Sequence, residues 1–78
     1  MARFNPPTGA EVTAIKNKLG LTGGMFAALL DLHGGQTVRK WQAGTRRMDF
    51  AQLYTIVHRR TGRQITAENW RYEIHDLL

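Results

Sequence analysis

Residues 21–47, LTGGMFAALLDLHGGQTVRKWQAGTRR, decide the fold, because they hold two short helical patterns on either side of a glycine-rich break. Thr22 is a helix-capping residue for the first pattern, and we expect that helix to end near Asp31. The break at 33–35 predicts a turn, so the second helix follows closely on the first. The apolar stripe of the first helix consists of Phe26, Leu29 and Leu30.

The second pattern is shorter and has two different sides. Val38 and Trp41, spaced three residues apart, predict its buried side, and Gly44 predicts its end. The remaining positions are polar or basic, which is the composition that a helix needs if it enters the major groove of DNA. These positions are Gln36, Thr37, Arg39, Lys40 and Gln42.

Further helical patterns flank this pair on both sides. Thr8 and Glu11 form a capping-box signature, and the helix that follows is expected to end at Gly20. Asp49 is the expected cap of a later helix, which ends before Gly62. The apolar positions of these two helices are Val12, Ile15, Leu19, Phe50, Leu53, Ile56 and Val57.

A fifth helix is predicted near the end of the sequence, with Thr66 as its cap and Trp70, Ile74 and Leu77 at i, i+4 and i+7. The fold class is therefore all-α, a compact five-helix domain. The predicted parts of the chain are a flexible N-terminal arm (1–7), a helix-turn-helix domain (8–62) and a C-terminal extension and helix (63–78) that closes the core or forms a dimer.

Positive charge is concentrated in one part of the chain. The 78 residues carry 11 Lys and Arg against 6 Asp and Glu, which gives a net charge of +5. Between Leu32 and Ala67 the only acidic residue is Asp49. Such segregation is typical of a surface that binds phosphates.

Composition also excludes several classes of function. The chain has no cysteine and no serine, so thiolate zinc sites, disulfides and Cys or Ser nucleophiles are excluded. Its three histidines are dispersed and lack the spacing of a metal site. We therefore expect no catalytic residue, no metal, no cofactor and no enzymatic activity. Without an apolar run of about 20 residues, we expect no membrane partner and a cytoplasmic location.

The stretch from Leu21 to Arg47, and above all TVRKWQAGTRR at 37–47, resembles the Cro/repressor (XRE-type) helix-turn-helix family. The resemblance covers roughly residues 10–60. It implies a repressor-like fold and a small regulator of the kind found in phages and mobile elements, including those encoded beside anti-CRISPR genes. Gly23 stands where the family often has a glutamine, and the turn is one residue longer than the usual spacing.

The resemblance and the polarity of the second helix together give candidate DNA contacts. A glutamine can pair with adenine, and an arginine or lysine can reach guanine, through two hydrogen bonds each. The base-contacting candidates are Gln36, Thr37, Arg39 and Lys40. The phosphate-contacting candidates, which fix register, are Thr22, Gly35, Thr45, Arg46 and Arg47.

Three questions stay open at this point. Arg59, Arg60 and Arg63 end a helix, where they either complement its dipole or contact DNA. The apolar residues near the C-terminus either close the monomer core or form the interface of a homodimer; these dimer candidates are Ile65, Trp70, Ile74 and Leu77. The expected function is a sequence-specific repressor that binds double-stranded DNA at a palindromic operator, and the alternative is an antitoxin-like protein-interaction module.

Overall fold

The computed structural model describes residues 3–78, and all of its regular structure is helical. Five α-helices are followed by a short 3₁₀ turn, and no β-strand occurs in the described part of the chain. The predicted all-α, five-helix fold is confirmed. The helices are α1 (Gly9–Lys18), α2 (Gly23–Leu29), α3 (Gln36–Ala43), α4 (Phe50–Thr61) and α5 (Trp70–Glu73), and the turn is His75–Leu77.

Three of the helices begin where a side chain caps the backbone, as predicted. The Thr8 and Asp49 side chains accept hydrogen bonds from Glu11 N and Gln52 N, and each makes a complete capping box. The Thr22 hydroxyl accepts from the backbone N–H of Met25 at 3.1 Å. These bonds satisfy N–H groups that a helix start leaves without a partner. Local sequence therefore determines where α1, α2 and α4 begin.

The helices enclose one hydrophobic core that extends from α1 to the C-terminal turn. α3 packs on α1 and α2, α2 also packs on α4, and the C-terminal turn packs on α1. Completely buried side chains come from α1, α2, α3, α4 and the C-terminal residues, so the last part of the chain belongs to the same core. Representative members are Val12, Phe26, Val38, Leu53 and Ile74.

The start of the fifth helix differs from its prediction. α5 begins at Trp70 and not at Thr66, whose hydroxyl instead accepts a hydrogen bond from Asn69 N in the preceding turn. Ile74, with φ −122° and ψ 27°, ends α5 after one turn. Tertiary packing explains the difference, because Trp70, Ile74 and Leu77 are all buried even though no continuous helix connects them.

The N-terminal segment, predicted as a flexible arm at 1–7, makes contacts with the C-terminal helix, and its flexibility stays a prediction. Residues 3–7 have no regular secondary structure and lie against the C-terminal helix, whereas Met1 and Ala2 lie outside the described residues. Phe4 packs on the rings of Phe50 and Trp70, and the indole N–H of Trp70 donates to the carbonyl of Asn5 at 3.1 Å. We call residues 3–7 the strap, since these contacts hold them across α5.

Candidate nucleic-acid interface

α3 has the two sides that its sequence predicts. Val38 is fully buried and Trp41 is 3% exposed, and Trp41 packs edge-on against Phe26 of α2 with ring centroids 6.1 Å apart. Gln36, Arg39 and Lys40 are exposed. The predicted burial of Val38 and Trp41 is confirmed, so the polar side of α3 is presented to solvent.

Two contacts with α1 fix the position of α3. The Gln42 side-chain amide donates to the Thr13 hydroxyl at 3.0 Å. A Cβ atom placed on Gly9 would lie only 2.1 Å from the carbonyl oxygen of Gln42, so the first turn of α1 touches the backbone of α3. The sequence pattern predicts Gln42 on the polar side of α3 and gives no signal for Gly9, because neither residue carries a local signal for its distant partner.

The exposed side of α3 forms a shallow groove. Its lining residues are Gln36, Arg39, Lys40, Ala43 and Thr45, and we call this set the α3 face. The structure thus brings together three of the four base-contacting candidates. Thr37 is separate: it is half-buried on the flank of α3, in a groove that it shares with Trp41 and Gln52.

The loop after α3 is folded back onto the end of that helix. The carbonyl of Lys40 accepts hydrogen bonds from the backbone N–H groups of Thr45 and Arg46, at 3.1 and 3.3 Å, and from the Thr45 hydroxyl at 3.3 Å. Gly44, at φ 81°, provides the left-handed residue that this reversal needs. Arg46 and Arg47 therefore leave the helix in a defined direction, and both are exposed.

The remaining phosphate-contacting candidates lie at the starts of α2 and α3. Thr22 precedes α2 and Gly35 precedes α3, and both residues are N-caps. A Cβ atom on Gly35 would lie 3.5 Å from the carbonyl carbon of Gly23, so the two helix starts are in van der Waals contact. Their roles toward phosphate stay predictions.

The arginines at the end of α4 are bound to the protein itself. Arg59 donates to the carbonyl of Leu29 and lies 3.5 Å from the carboxylate of Asp31, a non-glycine residue at φ 58°. Arg60 donates from Nε to the carbonyl of Leu19 at 3.0 Å. α4 thus caps the C-terminal ends of α1 and α2, a role that the sequence analysis did not consider.

A third arginine, Arg63, makes two hydrogen bonds of 2.6 Å to Asp76 near the C-terminus. Arg63 lowers the pKa of the Asp76 carboxyl from 3.8 to about 2. These hydrogen bonds give the Arg63 side chain a partner within the protein itself.

The cations on α3 and on the loop after it have no acidic partner among the described residues. Within residues 3–78 the ion pairs are Arg59 with Asp31, Arg63 with Asp76, and Arg71 with Glu11. None of these pairs includes a cation of the α3 face or of the loop that follows it. Arg39, Lys40, Arg46 and Arg47 are exposed, and no carboxylate of the described residues lies within ion-pair distance of them.

The dimer candidates Ile65, Trp70, Ile74 and Leu77 are all in the core of the monomer, where none is more than 9% exposed. Of the two possibilities that the sequence left open, the structure supports core closure. A contribution of these residues to a homodimer stays a prediction. No helix in the described part of the chain has the length and apolar character required to cross a membrane.

The fold and the α3 face define a small all-α protein that presents one short cationic helix. Among curated proteins, the transcriptional repressor protein KorC of Escherichia coli is 46% identical to this chain over 41 residues. The matched region is 50% of this chain and 48% of KorC, so the chain spans about half the length of this relative. No family model matches the chain, and no solved structure matches it.

Proposed function

We propose that this chain is a sequence-specific DNA-binding regulator of the Cro/repressor (XRE) type, which represses transcription. The observation that carries the proposal is the α3 face, whose polar side chains are exposed because Val38 and Trp41 anchor the helix from behind. A short helix with an apolar back and a polar front is the element that a helix-turn-helix inserts into the major groove. The likeness to a protein named as a transcriptional repressor supports the same function.

In this proposal the α3 face reads bases. Gln36 hydrogen-bonds to adenine, and Arg39 and Lys40 hydrogen-bond to guanine, each through the donor and acceptor pattern of the base edge. Thr37, on the flank of α3, is the base-contacting candidate with the least exposed position.

Phosphate contacts fix the register of the protein on the duplex. Arg46 and Arg47 supply charge without an acidic partner among residues 3–78, and the hydrogen bonds to the Lys40 carbonyl hold their loop in place. Thr22, Gly35 and Thr45 complete the phosphate-contacting set, and Thr45 contacts phosphate once its hydroxyl turns away from the Lys40 carbonyl. These contacts add affinity for any sequence and add little discrimination.

We further propose that the protein is a homodimer on a palindromic operator. Two copies of α3 would then lie about 34 Å apart, in successive major grooves on one side of the duplex. A small core without disulfides gains stability from association, which favours a dimer. Repression follows when the bound dimer blocks access of the polymerase.

The antitoxin-like alternative has less support. It required the apolar C-terminal residues to grip a second protein, but Trp70 and Ile74 are 1% and 0% exposed. Their apolar surface is already used by the monomer.

The decisive experiment selects bound duplexes from a random pool. We expect enrichment of one sequence with two-fold symmetry, and light scattering after size-exclusion should give a dimer on that duplex. Equal affinity for unrelated sequences would reduce the function to nonspecific nucleic-acid binding. A stable monomer that ignores duplex DNA would favour the protein-interaction module.

A further inference from the structure

Ala43 occupies a position on the α3 face that the assigned DNA contacts do not use. It follows Gln36 by seven residues and Arg39 by four, so all three lie on one stripe of the helix. Ala43 is exposed and takes no part in the core. Gly44 follows it without a side chain, and the chain then reverses, so the methyl group of Ala43 is the last side chain on this stripe.

The groove around Ala43 is more apolar than its residue types indicate. Four of its five lining residues are polar or charged, but two of these, Arg39 and Lys40, have long aliphatic stems. The aliphatic stems of Arg39 and Lys40 and the Cβ of Ala43 explain this. The Thr45 hydroxyl donates to the Lys40 carbonyl, so that this polar group is already bonded within the protein.

We propose that Ala43 contacts the C5-methyl group of a thymine and thereby selects thymine at one position of the bound site. The inference rests on the proposed function and identifies part of its DNA target. In the major groove, thymine alone among the four bases presents a methyl group, and alanine is a suitable apolar partner for it. Arg39 and Lys40 flank the apolar spot, so their charges attract the duplex while the spot itself offers no hydrogen bond.

The test uses the duplex selected by the wild-type protein. Each thymine is replaced in turn by deoxyuridine, which keeps the base pair and removes only the methyl group. We expect one replacement to weaken wild-type binding about fourfold, the effect of exposing one methyl group to water. Ala43→Gly should bind the thymine and deoxyuridine duplexes equally well at that position.

Ala51→Gly is the matched control, because Ala51 is also an exposed alanine in a helix but lies in α4, outside the α3 face. Both variants exchange alanine for glycine within a helix, so both lose helix propensity. We expect Ala51→Gly to keep the full deoxyuridine penalty. Melting curves of both variants confirm that they are folded at the assay temperature.

The outcomes separate this inference from the proposed function. A selected sequence whose thymines are all replaceable without loss would overturn the role of Ala43 and leave sequence-specific binding intact. A penalty that persists in Ala43→Gly would assign the methyl contact to another residue and also overturn it. If the random pool yields no preferred sequence, the proposed function itself is wrong.

Discussion

Gly9 is the residue whose size is most tightly limited by its neighbours. Its Cβ position lies 2.1 Å from the Gln42 carbonyl oxygen, a backbone atom of α3 that cannot rotate away. We expect Gly9→Ala to lower the free energy of unfolding by about 1 to 3 kcal/mol, because α1 and α3 must separate to admit the methyl group. Thermal or urea unfolding measures the loss.

Gly23→Ala is the control for this prediction, since a Cβ atom there would meet no atom within 4 Å. Alanine is the better helix former, so this variant should be as stable as the wild type or more stable by up to about 1 kcal/mol. Equal stability of the Gly9 and Gly23 variants would contradict the close contact between α1 and α3.

Arg39 is the residue that best distinguishes base reading from charge attraction. We expect Arg39→Ala to cost about 1 to 3 kcal/mol of binding free energy on the selected sequence and much less on random DNA, because a bidentate contact to guanine is lost. Fluorescence anisotropy on both duplexes measures the difference. Lys18→Ala, which removes an exposed charge from α1, should weaken binding to both duplexes by the same small factor. Equal losses of binding free energy on both duplexes for Arg39→Ala would indicate that Arg39 contacts phosphate and not a base.

At the scale of elements, the loop after α3 should contribute to every complex, whatever its sequence. Replacing Arg46 and Arg47 together by alanine removes two exposed cations and leaves the Lys40 carbonyl bonds to the backbone unchanged. We expect lower affinity on all duplexes and a plot of log K against log salt that is flatter by about two units. An unchanged slope would exclude this pair from the interface.

The end of α4 should behave in the opposite way. Arg59 caps α2 through the Leu29 carbonyl and pairs with Asp31, so Arg59→Ala should lower the free energy of unfolding by about 1 kcal/mol. Arg59→Ala should not change the salt dependence of DNA binding, because Arg59 binds groups of the protein itself. A slope reduced by about one unit, with stability unchanged, would instead place Arg59 on phosphate.

Local signals explain which elements the sequence predicts well. The caps at Thr8, Thr22 and Asp49 and the stops at Gly44 and Gly62 are decided within one helical turn, and the structure has helix ends at each of them. The predicted start of the fifth helix is wrong because the positions of its residues depend on packing in the core. A short sequence pattern does not encode that packing. Periodicity also predicts which side of α3 is exposed.

Several contacts that the sequence does not predict join distant parts of the chain. Arg60 reaches the Leu19 carbonyl 41 residues away, and Gln42 reaches Thr13 across 29 residues. A short sequence pattern does not show which group an arginine binds. It therefore does not distinguish an arginine that caps a helix end from one that contacts DNA. The three-dimensional structure is needed to distinguish arginines that bind groups of the protein itself from exposed arginines that can bind a ligand.

At the scale of the whole molecule, ion pairs tie the last residues to the rest of the chain. Arg71 donates two hydrogen bonds to Glu11 of α1, at 2.8 and 2.9 Å, and further bonds to the strap carbonyls of Asn5 and Pro6. The bond to Arg71 holds the pKa of Glu11 below its usual 4.5, and Arg63 similarly lowers that of Asp76 to about 2. Folding therefore favours the ionised carboxylates.

Stability should accordingly decrease in acid. The pKa values of Glu11 and Asp76 are lower in the folded chain than their unfolded values of 4.5 and 3.8. Their contribution to the free energy of unfolding is therefore complete above the unfolded values. It is lost as the pH falls through the folded values, which for Asp76 is about 2. Melting temperatures measured from about pH 6 down to about pH 2 should show this fall. Glu11→Gln should make it shallower, whereas Glu68→Gln, outside the ion pairs of residues 3–78, should follow the wild type. Parallel curves for all three proteins would contradict a contribution from Glu11.

The two tryptophans give the molecule separate optical reporters of its two ends. Trp41 lies in α3 and lines a groove with Arg46 and Arg47, whereas Trp70 packs on Phe4 of the strap and has the Arg71 guanidinium 4.3 Å from its ring. A chain that retains only one indole would therefore emit from one known environment. DNA binding to the α3 face is then expected to change the emission of the variant that keeps Trp41, and the variant that keeps Trp70 reports on the strap.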